Sequence, residues 1–189
     1  MQIVKQYLVS TKKYPIEIRY IVPKLNFKVR IICVTLLFGI FSTSPANAAN
    51  TVMSIYDGDT LTLDTGAKVR LLQVDTPELS SGECYGQEAK QALIKLVGKS
   101  KITLEGDSVS ADQDRYGRLL RYVFVGKKNL NLELVKIGAA APYFYKGERG
   151  KYSDKLLKAA ERAKSKKLGL WSKCLGTQLI PTKALDTKN

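Results

Sequence analysis

The sequence predicts a mainly β domain of the α+β class, and three observations support this prediction. Short runs of alternating apolar and polar residues, typical of strands with one buried face, recur between residues 52 and 125. Turn signals such as Asp57-Gly58 and Asp64-Thr65-Gly66 separate the first of these runs. Apolar residues at helical spacing appear in three later segments. The chain therefore combines a strand-rich first part with helices between and behind the strands.

Five strands are predicted, over Val52–Ile55, residues 61–63, residues 68–74, residues 101–105 and Leu119–Val125. The first three form a meander because the turns between them are short. The third strand stops before Pro77, which has no amide hydrogen to continue a ladder.

Three helices are predicted, over Gly86–Val97, residues 130–137 and residues 153–168. In the first helix, Ala89, Leu93 and Val97 share one face. Gly138 is a natural stop for the second. A helix after the third strand and further helices behind the fifth are typical of a five-stranded Greek-key barrel of the OB type, which we expect here with about three helices.

The first 48 residues have the composition of an export segment. Seven basic residues and one acidic residue occur there, with an apolar run at residues 31–41 and the pattern Ala46-Asn47-Ala48. This order predicts a secretory signal cleaved after Ala48; an uncleaved anchor and a start codon assigned too far upstream are the alternatives. We therefore divide the chain into an export segment (residues 1–48), a domain (residues 49–175) and a flexible polar tail (residues 176–189).

Charge and composition restrict the chemistry. The 189 residues include 31 lysines and arginines, 17 aspartates and glutamates and no histidine, so the net charge is +14. The part after residue 48 keeps 24 basic and 16 acidic residues, which favours polyanionic partners such as nucleic acid. The absence of histidine excludes Ser-His-Asp hydrolases, histidine-dependent ribonucleases and histidine-ligated zinc. A general base must then be a carboxylate, lysine, tyrosine or cysteine.

Two cysteines, Cys84 and Cys174, lie in the part after residue 48. An even pair in an exported protein is compatible with a disulfide, and two free thiols are the alternative that the sequence leaves open. A catalytic cysteine is not expected because no histidine is present to activate one.

The run from Arg70 to Glu78 brings an arginine and two carboxylates to the end of one predicted strand. With Asp59 and Arg118, these residues make up the inventory of a phosphodiesterase. Carboxylates such as Asp59 and Asp75 are ligands for a hard cation, which polarises a phosphoryl group. Arginines hold phosphate through paired hydrogen bonds, and Glu78 is suited to deprotonate the attacking water.

Five segments together resemble the staphylococcal nuclease (thermonuclease) family over residues 52–173. They are Asp57-Gly58-Asp59-Thr60, the run from Arg70 to Glu78, Tyr85-Gly86-Gln87-Glu88-Ala89, Asp114-Arg115-Tyr116-Gly117-Arg118 and Leu168-Gly169-Leu170-Trp171. The resemblance implies an OB-fold, calcium-dependent endonuclease. Such an enzyme cleaves DNA and RNA with little sequence preference and leaves 3′-phosphate ends.

The resemblance also implies a role for each matching residue. Asp59, Asp75 and the carbonyl of Thr76 would bind Ca²⁺ with Asp57 supporting them, Arg70, Glu78 and Arg118 would be catalytic, and Arg115, Tyr116, Tyr143 and Tyr145 would bind substrate. Ordinary packing is the alternative role for the three tyrosines. The substrate would be single- or double-stranded DNA and RNA, and we expect a monomer with no obligate protein partner.

Two other functions compete with an exported nuclease. A catalytically inactive nucleic-acid-binding OB module would be expected to have lost Asp59, Glu78 or an arginine, and the chain has kept all of them. An envelope-associated structural protein would explain the basic leader but not the acidic cluster. The sequence therefore favours an active enzyme.

Overall fold

The structure, a computed structural model, describes residues 49–188. The predicted export segment, residues 1–48, lies outside the described residues. Within residues 49–188, no helix combines the length and the apolar character that crossing a membrane would require.

Eight strands lie in the described part of the chain. They are β1 (Val52–Ile55), β2 (Thr60–Leu63), β3 (Lys68–Leu71), β4 (Val74–Asp75), β5 (Thr103–Glu105), β6 (Leu119–Val125), β7 (Lys128–Asn129) and β8 (Ala141–Pro142). Strands β1, β2 and β3 form the predicted antiparallel meander, and β3 then runs parallel to β6. Strand β6 pairs antiparallel with both β5 and β7.

A backbone bridge between Asn50 and Ile102 connects the two ends of this sheet. Each residue donates its amide hydrogen to the other's carbonyl, at N···O distances of 2.7 and 2.8 Å. Because Asn50 precedes β1 and Ile102 precedes β5, the bridge joins the two edges of the order β1-β2-β3-β6-β5. The strand order confirms the predicted α+β class with an OB-like barrel.

The described residues form four α-helices, α1 (Gly86–Val97), α2 (Leu130–Lys136), α3 (Ser153–Ser165) and α4 (Leu170–Lys173), and one short 3-10 helix over Tyr145–Gly147. Helix α1 has the predicted bounds. The third helix was expected to continue to residue 168 but ends at Ser165, because Lys167 and Gly169 adopt positive φ values of 52° and 55°. A Cβ on Gly169 would lie 2.2 Å from the carbonyl oxygen of Gly138, so this turn needs glycine.

The core lies inside the barrel and beneath the helices. Leu61, Val69 and Leu71 from the strands pack with Leu93 of α1 and Leu134 of α2, and all are at most 1% exposed. Alternation along β3 buries Val69 and Leu71 and leaves Lys68 and Arg70 on the opposite face. The apolar face of β3 therefore stabilises the barrel, and its polar face is available for a site.

The prediction of one continuous strand over residues 68–74 is wrong. Leu72 and Gln73 form a turn in which Gln73 has a φ of 57°, and the chain re-enters a different pairing, β4 with β8. A non-glycine residue in this conformation costs about 1–2 kcal/mol. Hydrogen bonds offset this cost, because the Gln73 side chain accepts from Ser153 Oγ at 2.9 Å and donates to the Glu148 carbonyl at 3.2 Å.

The C-terminal tail packs against the domain without forming a helix or strand over residues 176–188. The amide of Phe144 donates to the carbonyl of Pro181, and Thr187 Oγ1 donates to the carbonyl of Cys84 at 3.0 Å. Cys84 is itself joined to Cys174 by a disulfide across 90 residues of sequence. The flexibility expected for residues 176–189 stays a prediction.

Candidate active site

The turn between β1 and β2 places two aspartates inside the protein. Asp57 Oδ1 accepts a hydrogen bond from the amide of Asp59 at 3.0 Å, an arrangement that fixes the turn. A Cβ on Gly58 would lie 2.8 Å from both Ala89 Cβ and Thr76 Oγ1. Only glycine at position 58 therefore allows the β1–β2 turn to pack this closely against α1 and against Thr76, which follows β4.

Asp59 is buried and hydrogen-bonded on both carboxylate oxygens. Its Oδ2 accepts from the amide and hydroxyl of Thr76, at 3.0 and 3.1 Å, and lies 3.0 Å from Arg70 NH1. Its Oδ1 accepts from Thr60 Oγ1 at 3.0 Å. Asp59 thus connects the β1–β2 turn to both ends of the run from Arg70 to Thr76.

Arg70 lies between the two predicted metal-ligand carboxylates. Its NH2 group donates to Asp75 Oδ1 at 2.6 Å, while NH1 lies against Asp59. NH1 also donates to the carbonyls of Leu71 and Val74, at 3.0 and 2.8 Å. The arginine therefore holds the β3–β4 turn and bridges the carboxylates on either side of it.

Arg118, at the entrance to β6, is held by an aspartate four residues earlier. Its Nε donates to Asp114 Oδ2 at 2.7 Å, and its NH1 lies 3.5 Å from Thr60 Oγ1. Its NH2 group has no hydrogen-bond partner among the described residues. The guanidinium groups of Arg115 and Arg118 both lie over the exposed ring of Tyr116, at 4.8 and 5.5 Å from its centroid.

Glu78 is an exposed carboxylate beyond Pro77, near both arginines. Partial burial raises the pKa of Glu78 and Asp59 adds to the rise, while Arg70 and Arg118 oppose it. A carboxylate with a raised pKa is a stronger base than an ordinary glutamate. The structure thus brings Asp57, Asp59, Arg70, Asp75 and Glu78 into one site, with Arg118 at its edge through Thr60.

The site carries more buried negative charge than Arg70 balances. Burial raises the pKa of Asp57 to about 6, and the charge of Asp59 adds to the shift. Burial also raises the pKa of Asp75 to about 6, although Arg70 acts in the opposite direction. The charges of Asp57, Asp59 and Asp75 all act on the one guanidinium group of Arg70, and this excess of negative charge favours binding of a cation.

A metal ion would find a small set of oxygen ligands here. Within residues 49–188, no three acidic, cysteine or histidine side chains converge as a ready-made metal cluster. The carboxylate oxygens of Asp59 and Asp75 lie on either side of Arg70. Hard cations such as Ca²⁺ accept carboxylate and carbonyl oxygens together with water.

Comparison with known sequences identifies the family. The family profile described as "Staphylococcal nuclease homologue" matches residues 68–173, from β3 to the end of α4. An "Uncharacterized endonuclease" from Haemophilus influenzae is 36% identical over 154 residues, which cover 78% of this chain and 80% of that protein. The chain belongs to the staphylococcal nuclease family. It is a nuclease, a hydrolase of phosphodiester bonds.

Two thermonucleases are among the other relatives of this nuclease. The protein from Staphylococcus hyicus is 35% identical over 128 residues, covering 64% of this chain and 74% of that protein. The protein from Staphylococcus intermedius is 32% identical over 139 residues, covering 70% of this chain and 81% of that protein. The predicted resemblance is therefore confirmed at the level of the family.

The tyrosines expected in the nucleotide pocket of the nuclease lie on the segment after β8. Tyr143 is half-buried and donates its amide to the Gln73 carbonyl at 3.0 Å. Tyr145 is exposed, and Lys146 Nζ lies 5.4 Å from its ring centroid. Among the described residues, neither side chain forms a hydrogen bond or ring contact with the carboxylates or arginines of the site.

Three contributors to the nuclease site were missed by sequence reasoning. Thr60 connects Asp59 to Arg118, and Asp114 holds Arg118 through an i, i+4 spacing that the sequence displays. Leu185 of the tail donates its amide hydrogen to Asp75 Oδ2 at 2.7 Å. No local pattern identifies this last contact, because 110 residues separate the two partners.

Replacing Asp57 by asparagine should stabilise the metal-free nuclease at neutral pH. Asparagine keeps the Oδ1 acceptor and removes the buried carboxyl group of Asp57, whose pKa is raised from 3.8 to about 6. Because the pKa of Asp57 is higher in the folded state, the neutral carboxyl group favours folding below about pH 4. This contribution to the free energy of unfolding is lost as the pH rises through about 6. In chelator, urea unfolding should show equal stability at about pH 4 and an excess of about 1–3 kcal/mol for D57N at pH 7.5.

The matched control is Asp64→Asn, at an exposed aspartate of the β2–β3 turn. This variant should follow the wild type within about 0.5 kcal/mol at every pH. If the free energies of unfolding of D57N and the wild type differ by the same amount from about pH 4 to 7.5, the site does not bury excess negative charge at Asp57.

Proposed function

We propose that the protein is an exported, calcium-dependent endonuclease that cleaves DNA and RNA with low sequence preference and leaves 3′-phosphate ends. The observation that carries this proposal is the Asp59–Arg70–Asp75 bridge, at 3.0 and 2.6 Å, with Glu78 and Arg118 beside it. One site then contains carboxylates that can bind a cation, guanidinium groups that can bind a phosphate, and a base that can deprotonate water. Membership of the staphylococcal nuclease family supports the same chemistry.

Asp59, Asp75 and the Thr76 carbonyl would hold Ca²⁺, with Asp57 positioning Asp59 through the hydrogen bond to its amide. Their hard oxygen donors and their excess negative charge suit a divalent cation. When bound, calcium would polarise the phosphoryl group and neutralise part of its charge.

Arg70 and Arg118 would bind the scissile phosphate from two sides. Asp114 holds Arg118 through Nε and leaves its NH2 group without a partner among the described residues, so that group is available to a phosphate oxygen. Arg70 is already ordered by Asp59, Asp75 and two backbone carbonyls. Guanidinium groups fixed in this way stabilise the extra negative charge of the attacked phosphorus at little cost in reorganisation.

Glu78 would remove a proton from the attacking water. Its exposure permits contact with solvent, and its raised pKa increases its strength as a base. The leaving group would be the 5′ oxygen of the next nucleotide, so that the phosphate stays on the 3′ end. Arg115 and Tyr116 would contact the nucleotide next to Arg118, while Tyr143 and Tyr145 would approach it from the β8 side.

Export is supported by the composition of residues 1–48 and by the Cys84–Cys174 disulfide, since disulfides persist mainly in oxidising compartments. We further propose that the enzyme acts as a monomer without an obligate protein partner.

The protein should degrade a single-stranded DNA oligonucleotide in the presence of calcium and not in the presence of a chelator. Glu78→Gln should remove most of this activity because the amide cannot accept the proton. Arg70→Lys and Arg118→Lys should each lower the turnover rate at least about a hundredfold, on the scale of other deleted transition-state donors. Single-turnover cleavage followed by gel electrophoresis measures all three effects.

Arg121→Lys is the control, because Arg121 pairs with Asp112 outside the site. It should retain nearly full activity. If the wild-type protein shows no calcium-dependent cleavage, the proposed activity is wrong. If both arginine variants lose only twofold in turnover rate, the two arginines act elsewhere. The first outcome would favour the inactive binding module.

The hydrogen bond from the Leu185 amide to Asp75 Oδ2 should weaken calcium binding, because it occupies a carboxylate oxygen that the metal would need. Leu185→Pro removes the donor, whereas Leu185→Ala keeps it. Isothermal titration should show calcium binding roughly tenfold tighter to L185P than to wild type or L185A. Equal affinities for the two variants would mean that the tail and the metal do not compete.

A further inference from the structure

A groove of about 370 Å³ lies next to the site, on the outer face of β2 and β3. Its lining includes Tyr56, Thr62, Lys68, Lys90, Tyr116 and Arg118. Arg118 belongs to both the groove and the candidate active site, so the two are continuous. None of Tyr56, Thr62, Lys68 or Lys90 has a role in the site described above.

Strand register relates the groove to the catalytic arginine. In the β2–β3 pair, Thr60 lies opposite Arg70 and Thr62 lies opposite Lys68. Residues two apart on a strand share a face and are separated by about 7 Å. Lys68 therefore follows Arg70 along the same face, one side-chain step away from the site.

The groove presents unpaired positive charge beside exposed aromatic rings. Among residues 49–188, neither Lys68 nor Lys90 has an ion-pair or hydrogen-bond partner for its ammonium group. Tyr56 and Tyr116 are 62% and 68% exposed. Solvated lysines alone are common on a basic protein, but ammonium groups and exposed rings that line one groove together are typical of single-stranded nucleic acid sites.

We propose that this groove, the flanking-nucleotide groove, binds the nucleotide next to the scissile phosphate in a single-stranded polynucleotide. Lys68 and Lys90 bind the phosphate of that nucleotide, and Tyr56 stacks on its base. The assignment rests on the proposed function for the position of the scissile phosphate at Arg70 and Arg118.

Stacking on Tyr56 requires a base that is free of its partner strand, so duplexes should bind less tightly than single strands of the same length. A tyrosine ring does not contact the 2′ position in such a stack. The groove therefore discriminates by strandedness and length, and it treats DNA and RNA alike.

The test is binding of a fluorescent 12-nucleotide single-stranded DNA to the full chain in chelator, measured by anisotropy over a series of salt concentrations. Each phosphate contact contributes about 0.7 to the slope of log affinity against log salt. Because both lysines bind the same phosphate, the double variant Lys68→Ala/Lys90→Ala should reduce the slope by about 0.7. Tyr56→Ala should weaken binding at least fivefold without changing the slope, and Tyr56→Phe should bind as the wild type does.

The matched control is Lys158→Ala/Lys166→Ala, which removes the same charge from exposed positions in and just after α3. Its slope should equal that of the wild type. An unchanged slope in the groove variant, or an equal reduction in the control, would overturn the proposal.

Cleavage separates this proposal from the proposed function. With calcium, the groove variant should lose about tenfold in kcat/KM on the 12-nucleotide substrate and almost nothing on a dinucleotide that carries only the scissile phosphate. The predicted change in salt slope with no cleavage by the wild type would refute the nuclease activity and leave the groove supported. Cleavage by the wild type with unchanged slopes and kcat/KM in the groove variant would refute the groove alone.

Discussion

The structure depends on the turn at Leu72 and Gln73. In a regular strand, Arg70 and Asp75 would point to opposite faces and lie about 17 Å apart. The positive φ of Gln73 reverses this relation, and Arg70 NH2 reaches Asp75 Oδ1 at 2.6 Å. A site that takes both an arginine and a predicted metal-ligand carboxylate from one short segment is possible only because the strand is interrupted.

Elements distant in sequence stabilise this turn. Ser153, at the start of α3, donates to the Gln73 side chain, and the buried amide of Asn131 from α2 donates to the Leu72 carbonyl at 2.9 Å. Asn131 Oδ1 also accepts from the amide of Val123 in β6 at 3.0 Å. The same network therefore connects the turn to β6, the strand that follows Arg118. The helices thus act on the site through the backbone of the β3–β4 segment.

Sequence reasoning recovered the parts that leave a local signal. Apolar spacing predicted the bounds of α1, and short strands with turn signals predicted the barrel. The acidic and basic residues that lie together in the candidate site were singled out from the sequence because carboxylates and guanidinium groups have informative chemistry without coordinates, and their roles stay predictions. The turn at Gln73 was missed because a glutamine at positive φ breaks the local preference, and the bonds that compensate come from 75 and 80 residues away. The tail contact on Asp75 and the Cys84–Cys174 pairing depend on the same kind of long-range approach.

In the proposed mechanism, water attacks phosphorus at this site and the 5′ oxygen leaves. Cleavage of a DNA oligonucleotide in ¹⁸O-labelled water, followed by mass spectrometry of the products, tests it most directly. This mechanism places one ¹⁸O atom per cleavage in a phosphate at the new 3′ end and leaves an unlabelled hydroxyl at the new 5′ end. Label in a 5′ phosphate, or 3′ phosphates without label, would contradict it.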